Sequence, residues 1–248
     1  METSARTARP LVTARTAAVW TVLRAELERH AGRELTVLDV GGGTGGFAVP
    51  LAEAGHAVTV IDASPDALAA LTRRAADAGV ADRITAVQGD GDALAGLVAP
   101  GSADLILCHS VLEIVDDPTG VLAAITAALR PGGAVSLLVA NRAAAVLNRA
   151  VNGQLRAASA LVTDPAGRAG PRDTLLRRYD ATSAGDLLTA AGLQVEATHG
   201  VRVFADLLPA AVIEEDPQAV LELETALSSL SPFRDIASQV HLFARRPA

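Results

Sequence analysis

The stretch Leu35-Thr-Val-Leu-Asp-Val-Gly-Gly-Gly-Thr-Gly-Gly-Phe47 constrains this chain more than any other. Its first half is a short run rich in Val and Leu that ends in a glycine cluster, which reads as a buried strand entering a turn. The segment from Phe47 to Ala54 then reads as a helix. Gly41, Gly43 and Gly45 therefore fall where a strand hands over to a helix N-terminus. Glycine there permits positive φ and lets the backbone approach a ligand with no Cβ in the way. Helix N-terminal amides suit a negatively charged group. A Gly-x-Gly turn alone is common without a ligand, and the strand–turn–helix context is what makes this one a binding signal.

Two acids narrow the ligand. Asp39 lies two residues before Gly41, and Asp62 closes the next apolar run, Ala57-Val-Thr-Val-Ile61, 23 positions after Asp39. An acid at the end of the second strand is placed to hold a ribose by its hydroxyls. A nicotinamide enzyme shows a similar pair of signals. An acid just ahead of the glycines fits better with S-adenosylmethionine (SAM), whose cationic sulfonium and amine stand where a dinucleotide carries its pyrophosphate. The structural alternatives are a loop-orienting acid at Asp39 and, at Asp62, an N-cap for the helix that Ser64-Pro65 opens.

Downstream, strands and helices alternate. Arg83–Gln88, Ala103–Cys108 and Ala134–Ala140 read as strands, with helices opened by Ser64-Pro65 and Asp117-Pro118 and a tight turn at Arg130-Pro-Gly-Gly133. Ahead of them an amphipathic helix is expected from Leu11 to His30, anchored by Trp20, after a frayed start at residues 1–10. Alternation of this kind implies right-handed crossovers and a parallel sheet covered on both faces. Ligands of such sheets sit outside the carboxyl ends of the strands, where the glycine loop, Asp62, Gly91-Asp92 and His109-Ser110 collect. The expected fold is Rossmann-like α/β: a doubly wound, mostly parallel seven-stranded sheet with a helical insertion near residues 141–180. A single domain over residues 1–248 is expected, with a cofactor core at 10–140 and sheet completion at 181–248.

Past Ala140 the pattern changes. Asn141 to Val162 is helical by composition, with Arg142, Arg149 and Arg156 seven apart and so nearly on one face. That stripe is either a track for RNA phosphates or a solvated helix face. Thr163–Arg172, with two Pro and two Gly, reads as a mobile loop. Strand-like alternation returns at Leu193–His199, Gly200–Phe204 and Gln239–Arg245, and Asp216-Pro217 starts a helix through Leu227.

Composition excludes several classes. Half the 248 residues are apolar and a fifth charged, which suits a globular chain, and no apolar run approaches the roughly 20 residues of a membrane span. No apolar core accompanies Arg6, Arg9 and Arg15, so no export signal is read. The single Cys108 leaves no internal disulfide or multi-cysteine metal site, and the five histidines show no metal-ligand spacing. The expected setting is the cytoplasm, with no metal. A net charge of −7 argues against nonspecific coating of nucleic acid. Residues 141–180 go against that charge, with seven Arg and three Asp for a net of +4.

In order of parts the chain resembles the class I SAM-dependent methyltransferases, through Val37-Leu-Asp-Val-Gly-Gly-Gly-Thr-Gly45, Asp62, Gly91-Asp92 and Leu129-Arg-Pro-Gly-Gly133. A narrower resemblance is to the tRNA 5-carboxymethoxyuridine methyltransferases, which methylate the carboxylate of a modified wobble uridine. Asp104-Leu-Ile-Leu-Cys-His-Ser-Val-Leu-Glu113, Gly200-Val-Arg-Val-Phe204 and Leu221-Glu-Leu-Glu224 carry it. The resemblance implies SAM as methyl donor and a SAM site at Arg15 (five before Trp20), Gly41, Gly42, Asp62, Gly91, Asp92 and His109. Asp39, Gly43 and Ala63 complete the expected cofactor contacts. The chain departs from the family in lacking a Tyr-Gly and Lys-Gly stretch ahead of Arg15, a Lys-rich run in the insertion, and an aromatic at position 140, which is Ala.

A carboxylate nucleophile is already ionised near neutrality, so the protein has only to orient and desolvate it. One cation fixing one carboxylate oxygen serves that better than a clamp on both. Arg202 is the first candidate, followed by Asn141, Arg178 and Tyr179; a strand-end salt bridge is the structural alternative for Arg202. His109 either contacts SAM, acts as base toward a hydroxyl substrate, or packs without a chemical role, with Glu113 as an i,i+4 partner. The expected activity is methylation of a carboxymethoxyuridine-type carboxylate in tRNA, with Arg142, Arg149 and Arg156 as the candidate RNA contacts. The alternative is a small-molecule O-, N- or C-methyltransferase of secondary metabolism.

Overall fold

The computed structural model describes residues 14–248, so the expectations for residues 1–10 and for the helical start at 11–13 lie outside the described residues. Among the described residues seven strands form one sheet: β1 (Thr36–Val40), β2 (Ala57–Asp62), β3 (Ile84–Gln88), β4 (Ala103–His109), β5 (Leu129–Ala140), β6 (Gln194–Val201) and β7 (Gln239–Arg245). Their order is β3-β2-β1-β4-β5-β7-β6. All pairings are parallel except those of β7, which runs antiparallel to both β5 and β6. The expected doubly wound, mostly parallel sheet is the one observed.

Helices cover both faces. In chain order they are α1 (Ala17–Arg29), α2 (Ala48–Glu53), α3 (Pro65–Asp77), α4 (Leu94–Leu97), α5 (Pro118–Ala128), α6 (Arg142–Val151), α7 (Leu155–Thr163), α8 (Ala181–Ala190), α9 (Ala210–Glu215), α10 (Pro217–Leu227) and α11 (Phe233–Ile236). The alternation of strand residues sorts the core into two clusters. Val37, Val60, Leu105, Leu107, Leu138 and Phe243 face α1, α2 and α3, with Trp20 buried among them. Leu38, Ile106, Cys108, Leu137 and Leu242 face α5 and α8. The helix starts follow local chemistry: Ser64, Asp117, Asp180 and Asp216 each accept an amide from the first turn, and Pro follows at N1 in three of them.

The insertion differs from expectation. The helix foreseen over Asn141–Val162 breaks at Asn152-Gly153-Gln154, with Gly153 at φ +73°. Arg156 therefore lies on α7 and not on the helix of Arg142 and Arg149. Gly200–Phe204 is not a separate strand either: β6 runs through Val201, and the chain turns at Arg202.

Candidate active site

At the carboxyl edge of β1 the glycine loop adopts the backbone its residues allow. Gly41, Gly43 and Gly45 have φ of +70°, +55° and +80°. A Cβ on Gly41 would sit 2.4 Å from Val111 Cγ2, and one on Gly42 would sit 2.6 Å from the Asp39 carboxylate. The loop is thus folded down onto Asp39. The Asp62 carboxylate braces it from β2, accepting Gly43 N (2.9 Å) and Ser64 N (2.9 Å). Ser64, and not Asp62, caps α3.

Asp39 is buried under this loop and incompletely satisfied. Its side chain is 2% exposed, and Oδ2 is buried with no hydrogen-bond partner among the described residues. Burial, with the Asp62 carboxylate adding to it, pushes its pKa up to about 7. Two acids at the lip of one glycine loop, one of them unpaired, make a poor pyrophosphate site and a good site for a cation.

Across the loop, His109 ends β4. Its ring meets Phe47 edge-on at 4.7 Å, and Phe47 stacks on Trp20 at 5.2 Å. Nε2 lies 2.8 Å from Ser136 Oγ, which lies 2.8 Å from His241 Nε2. The ring of His199 follows at 5.9 Å from that of His241. These residues form one polar row across β4, β5, β7 and β6, inside the α1–α3 face. Burial pushes the His109 pKa down to about 3 and lowers His241 and His199 as well. Glu113 is not the partner of His109: its Oε1 accepts Ala140 N at 2.6 Å, and the segment is a turn, not a helix.

Asp92 is exposed, and its two carboxylate oxygens accept Asp116 N and Asp117 N, both at 3.1 Å. The same loop is gripped by the Arg177 guanidinium, which donates to the carbonyls of Leu112, Val115 and Asp116. Gly91 packs against Val115 and Val111, and Ala63 is exposed at the end of β2.

The acceptor-side expectations divide. Asn141 is 2% exposed, and its amide caps α6 through Oδ1 and donates to the Asp235 and Ala237 carbonyls through Nδ2. Tyr179 is buried with its hydroxyl donating to Leu112 O at 3.2 Å. Arg178 forks onto Asp173 at 2.5 and 3.0 Å. All three have their polar atoms engaged in holding the insertion. Arg142 is likewise turned inward, donating to Pro165 O at 2.6 Å, and Arg149 bonds Gln154. The arginine stripe does not exist as one face.

Arg202 is different. It has φ +60°, and with Ser110 at +57° it is one of two non-glycine residues among those described with left-handed backbone. Both are tied to the start of β7: Gln239 Nε2 donates to Ser110 Oγ, and Ser238 N donates to Arg202 O. Glu224, 3% exposed on α10, then accepts the next three amides, Val203 N, Phe204 N and Ala205 N, at 2.7–2.9 Å. The two C-terminal stretches Gly200–Phe204 and Leu221–Glu224 are therefore two halves of one brace. Glu224 was missed as a site residue, although a glutamate four positions from buried Val220 on one helix face is a visible signal.

A Rossmann-like sheet of this order, with one reversed strand and a glycine loop flanked by two acids, defines a class I methyltransferase. A family model described as a methyltransferase domain matches residues 14–198. The chain belongs to that family, and over nearly its whole length it is similar to tRNA 5-carboxymethoxyuridine methyltransferases. The one from Escherichia coli (strain K12) is 34% identical over 237 residues, which cover 94% of this chain and 88% of that protein. A ubiquinone biosynthesis O-methyltransferase from Xanthomonas euvesicatoria pv. vesicatoria is 36% identical over 121 residues, 47% of this chain and 48% of the relative. Among solved structures, a magnesium protoporphyrin IX methyltransferase from Synechocystis PCC 6803 with bound SAH shares the fold, with a TM-score of 0.62 at 16% identity over 94% of this chain and 84% of that one.

Proposed function

We infer that this chain is a SAM-dependent methyltransferase that esterifies the carboxylate of a 5-carboxymethoxyuridine-type nucleoside in tRNA. The extent of the likeness carries the reading. Identity of 34% to enzymes named for that reaction spans 94% of the chain, whereas the ubiquinone O-methyltransferase match stops at 47%.

The residues fit the cofactor. The unpaired Asp39 oxygen is matched to an ammonium or sulfonium cation, which would relieve its buried charge. An ionised carboxylate has about four acceptor sites, so Asp62 keeps two for ribose hydroxyls beside the amides it already holds. Gly41–Gly43 would support the amino-acid end, with Arg15 and the His109 backbone near it, and Ala63 with Gly91-Asp92 would border the base. Bound SAM supplies an electrophilic methyl group on sulfur.

The chain's own residues do the rest by placement. Arg202 presents a guanidinium from a backbone fixed by Glu224 and Ser238. His109, held neutral by burial, adds no positive charge beside a cationic donor. No base is required, because the acceptor is ionised near pH 7. The exposed arginines of the insertion, Arg156, Arg168 and Arg172, are the phosphate contacts in this reading, with Arg149 beside them. To test it, the protein is incubated with labelled SAM and bulk tRNA, and the digested nucleosides are analysed by mass. A new methyl ester on a carboxymethoxyuridine supports the reading; label appearing only on a small acid overturns it.

A further inference from the structure

Arg15 and Arg202 come from opposite ends of the chain and meet at one carboxylate. Arg15 Nη2 lies 3.4 Å from Asp206 Oδ1, and Arg202 Nε lies 3.4 Å from Asp206 Oδ2. Charge-assisted hydrogen bonds are shorter, about 2.7–2.9 Å. Arg202 Nε accordingly remains buried without a hydrogen-bond partner among the described residues. The pairing is also partly wet: the side chains of Arg202 and Asp206 are 27% and 28% exposed, and that of Arg15 is 59% exposed.

This loose contact hangs on a rigid frame. A non-glycine residue at φ +60° persists only where its surroundings over-determine it, and Glu224 and Ser238 do so here. The frame holds Arg202 in place while leaving its guanidinium under-bonded. Asp206 is shared between two guanidinium groups, so it neutralises neither fully and Arg202 still attracts an anion.

We propose that Asp206 is an internal stand-in for the acceptor's carboxylate, a positioning residue that acts through Arg202 and is displaced from it when a carboxylate-bearing acceptor enters. The exchange swaps one anion for another, so Arg202 faces a counter-ion throughout. When the acceptor becomes a neutral ester it loses its hold on Arg202, Asp206 returns, and the product is released. Asp206 also limits how tightly the nucleophile is gripped. A stronger grip stabilises the anionic ground state more than a transition state in which that charge is dissipating. This inference rests on the carboxylate reading above and adds the residue that sets the strength of its anion contact.

The test uses the full chain and two probes: tRNA carrying 5-carboxymethoxyuridine, and the same tRNA with the carboxylate methylated. Fluorescence anisotropy in the presence of S-adenosylhomocysteine gives each Kd, and labelled SAM gives kcat and KM. For Asp206→Asn we expect Kd and KM for the acid-bearing tRNA to fall three- to tenfold, kcat to fall with them, and Kd for the ester-bearing tRNA to stay unchanged. Asp206→Glu should restore values toward those of the wild type. Circular dichroism checks folding, which this part-exposed carboxylate does not govern. Weaker or unchanged binding of the acid-bearing tRNA by Asp206→Asn overturns the inference, as does an equal change for both tRNAs. If Arg202→Gln loses the preference for the acid but Asp206→Asn behaves as wild type, only this inference fails. If the wild type shows no preference at all, the carboxylate reading fails and takes this one with it.

Discussion

Asp39→Asn separates the charge of Asp39 from its shape. The carboxylate is buried with one oxygen unpaired, and its pKa stands at about 7 in place of 3.8. The folded chain therefore keeps a proton between pH 3.8 and 7 that the unfolded chain has already released. Stability falls as pH rises through that window and levels off above it. The full difference corresponds to about 4 kcal/mol, of which roughly 1.5 kcal/mol has been lost by pH 5. Asparagine removes this ionisation and leaves the packing under Gly42 nearly unchanged in shape. The gain of Asp39→Asn over wild type should thus grow by about 3 kcal/mol between pH 5 and pH 8, or roughly 6–12 °C in Tm for a chain of this size. Comparing the two proteins at each pH by urea or thermal unfolding cancels the opposing slope of the buried histidines. The same substitution should weaken SAM, because the amide cannot neutralise a cation. A difference that stays flat from pH 5 to 8, or a gain that shrinks as pH rises, would refute the assignment of a buried, strained charge at Asp39.

Other residues give independent checks. Glu224→Ala orphans two well-buried amides, Val203 N and Ala205 N, which at ~1–3 kcal/mol each should lower unfolding free energy by about 4 kcal/mol; Glu224→Gln should lose about half of that and raise KM for the acceptor as Arg202 relaxes. An effect under 0.5 kcal/mol in chemical denaturation would dismiss the brace. His109 is neutral down to about pH 3, so kcat/KM should show no imidazole limb between pH 5 and 8, whereas a limb near 6.5 that vanishes in His109→Asn would mean that it titrates in catalysis. The buried histidines gain protons on unfolding, so stability should also fall as pH drops below about 6.5. Arg156→Glu with Arg168→Glu should weaken tRNA binding and reduce the slope of log K against log salt by about 0.7 per lost phosphate contact; an unchanged slope would place the RNA elsewhere.

Much of the cofactor half was legible because local rules govern it. Positive φ at Gly41, Gly43 and Gly45 follows from a strand turning directly into a helix, and the caps at Ser64, Asp117 and Asp216 follow from side-chain oxygens beside proline. The acceptor half depends on contacts between distant residues. Asn141 and Tyr179 look like free polar groups beside a strand end, yet contacts with Ala237 and Leu112 engage them. The Ser136–His241 bond spans 105 positions and leaves no local periodicity. Spacing of seven put three arginines on one face only so long as the helix ran unbroken, and Asn152-Gly153 ended it. Glu224 could have been noticed as a charge within an apolar stripe, but the three amides that it holds belong to another segment.

The central claim is that the glycine loop, Asp39 and Asp62 together bind a sulfonium nucleoside. Calorimetric titration of the full chain with SAM, and separately with NAD, tests it most directly. The account predicts one SAM per chain for the wild type, no heat with NAD, and a large loss of SAM affinity in Asp62→Ala. Saturable binding of NAD, or SAM affinity unaltered by Asp62→Ala, would contradict it.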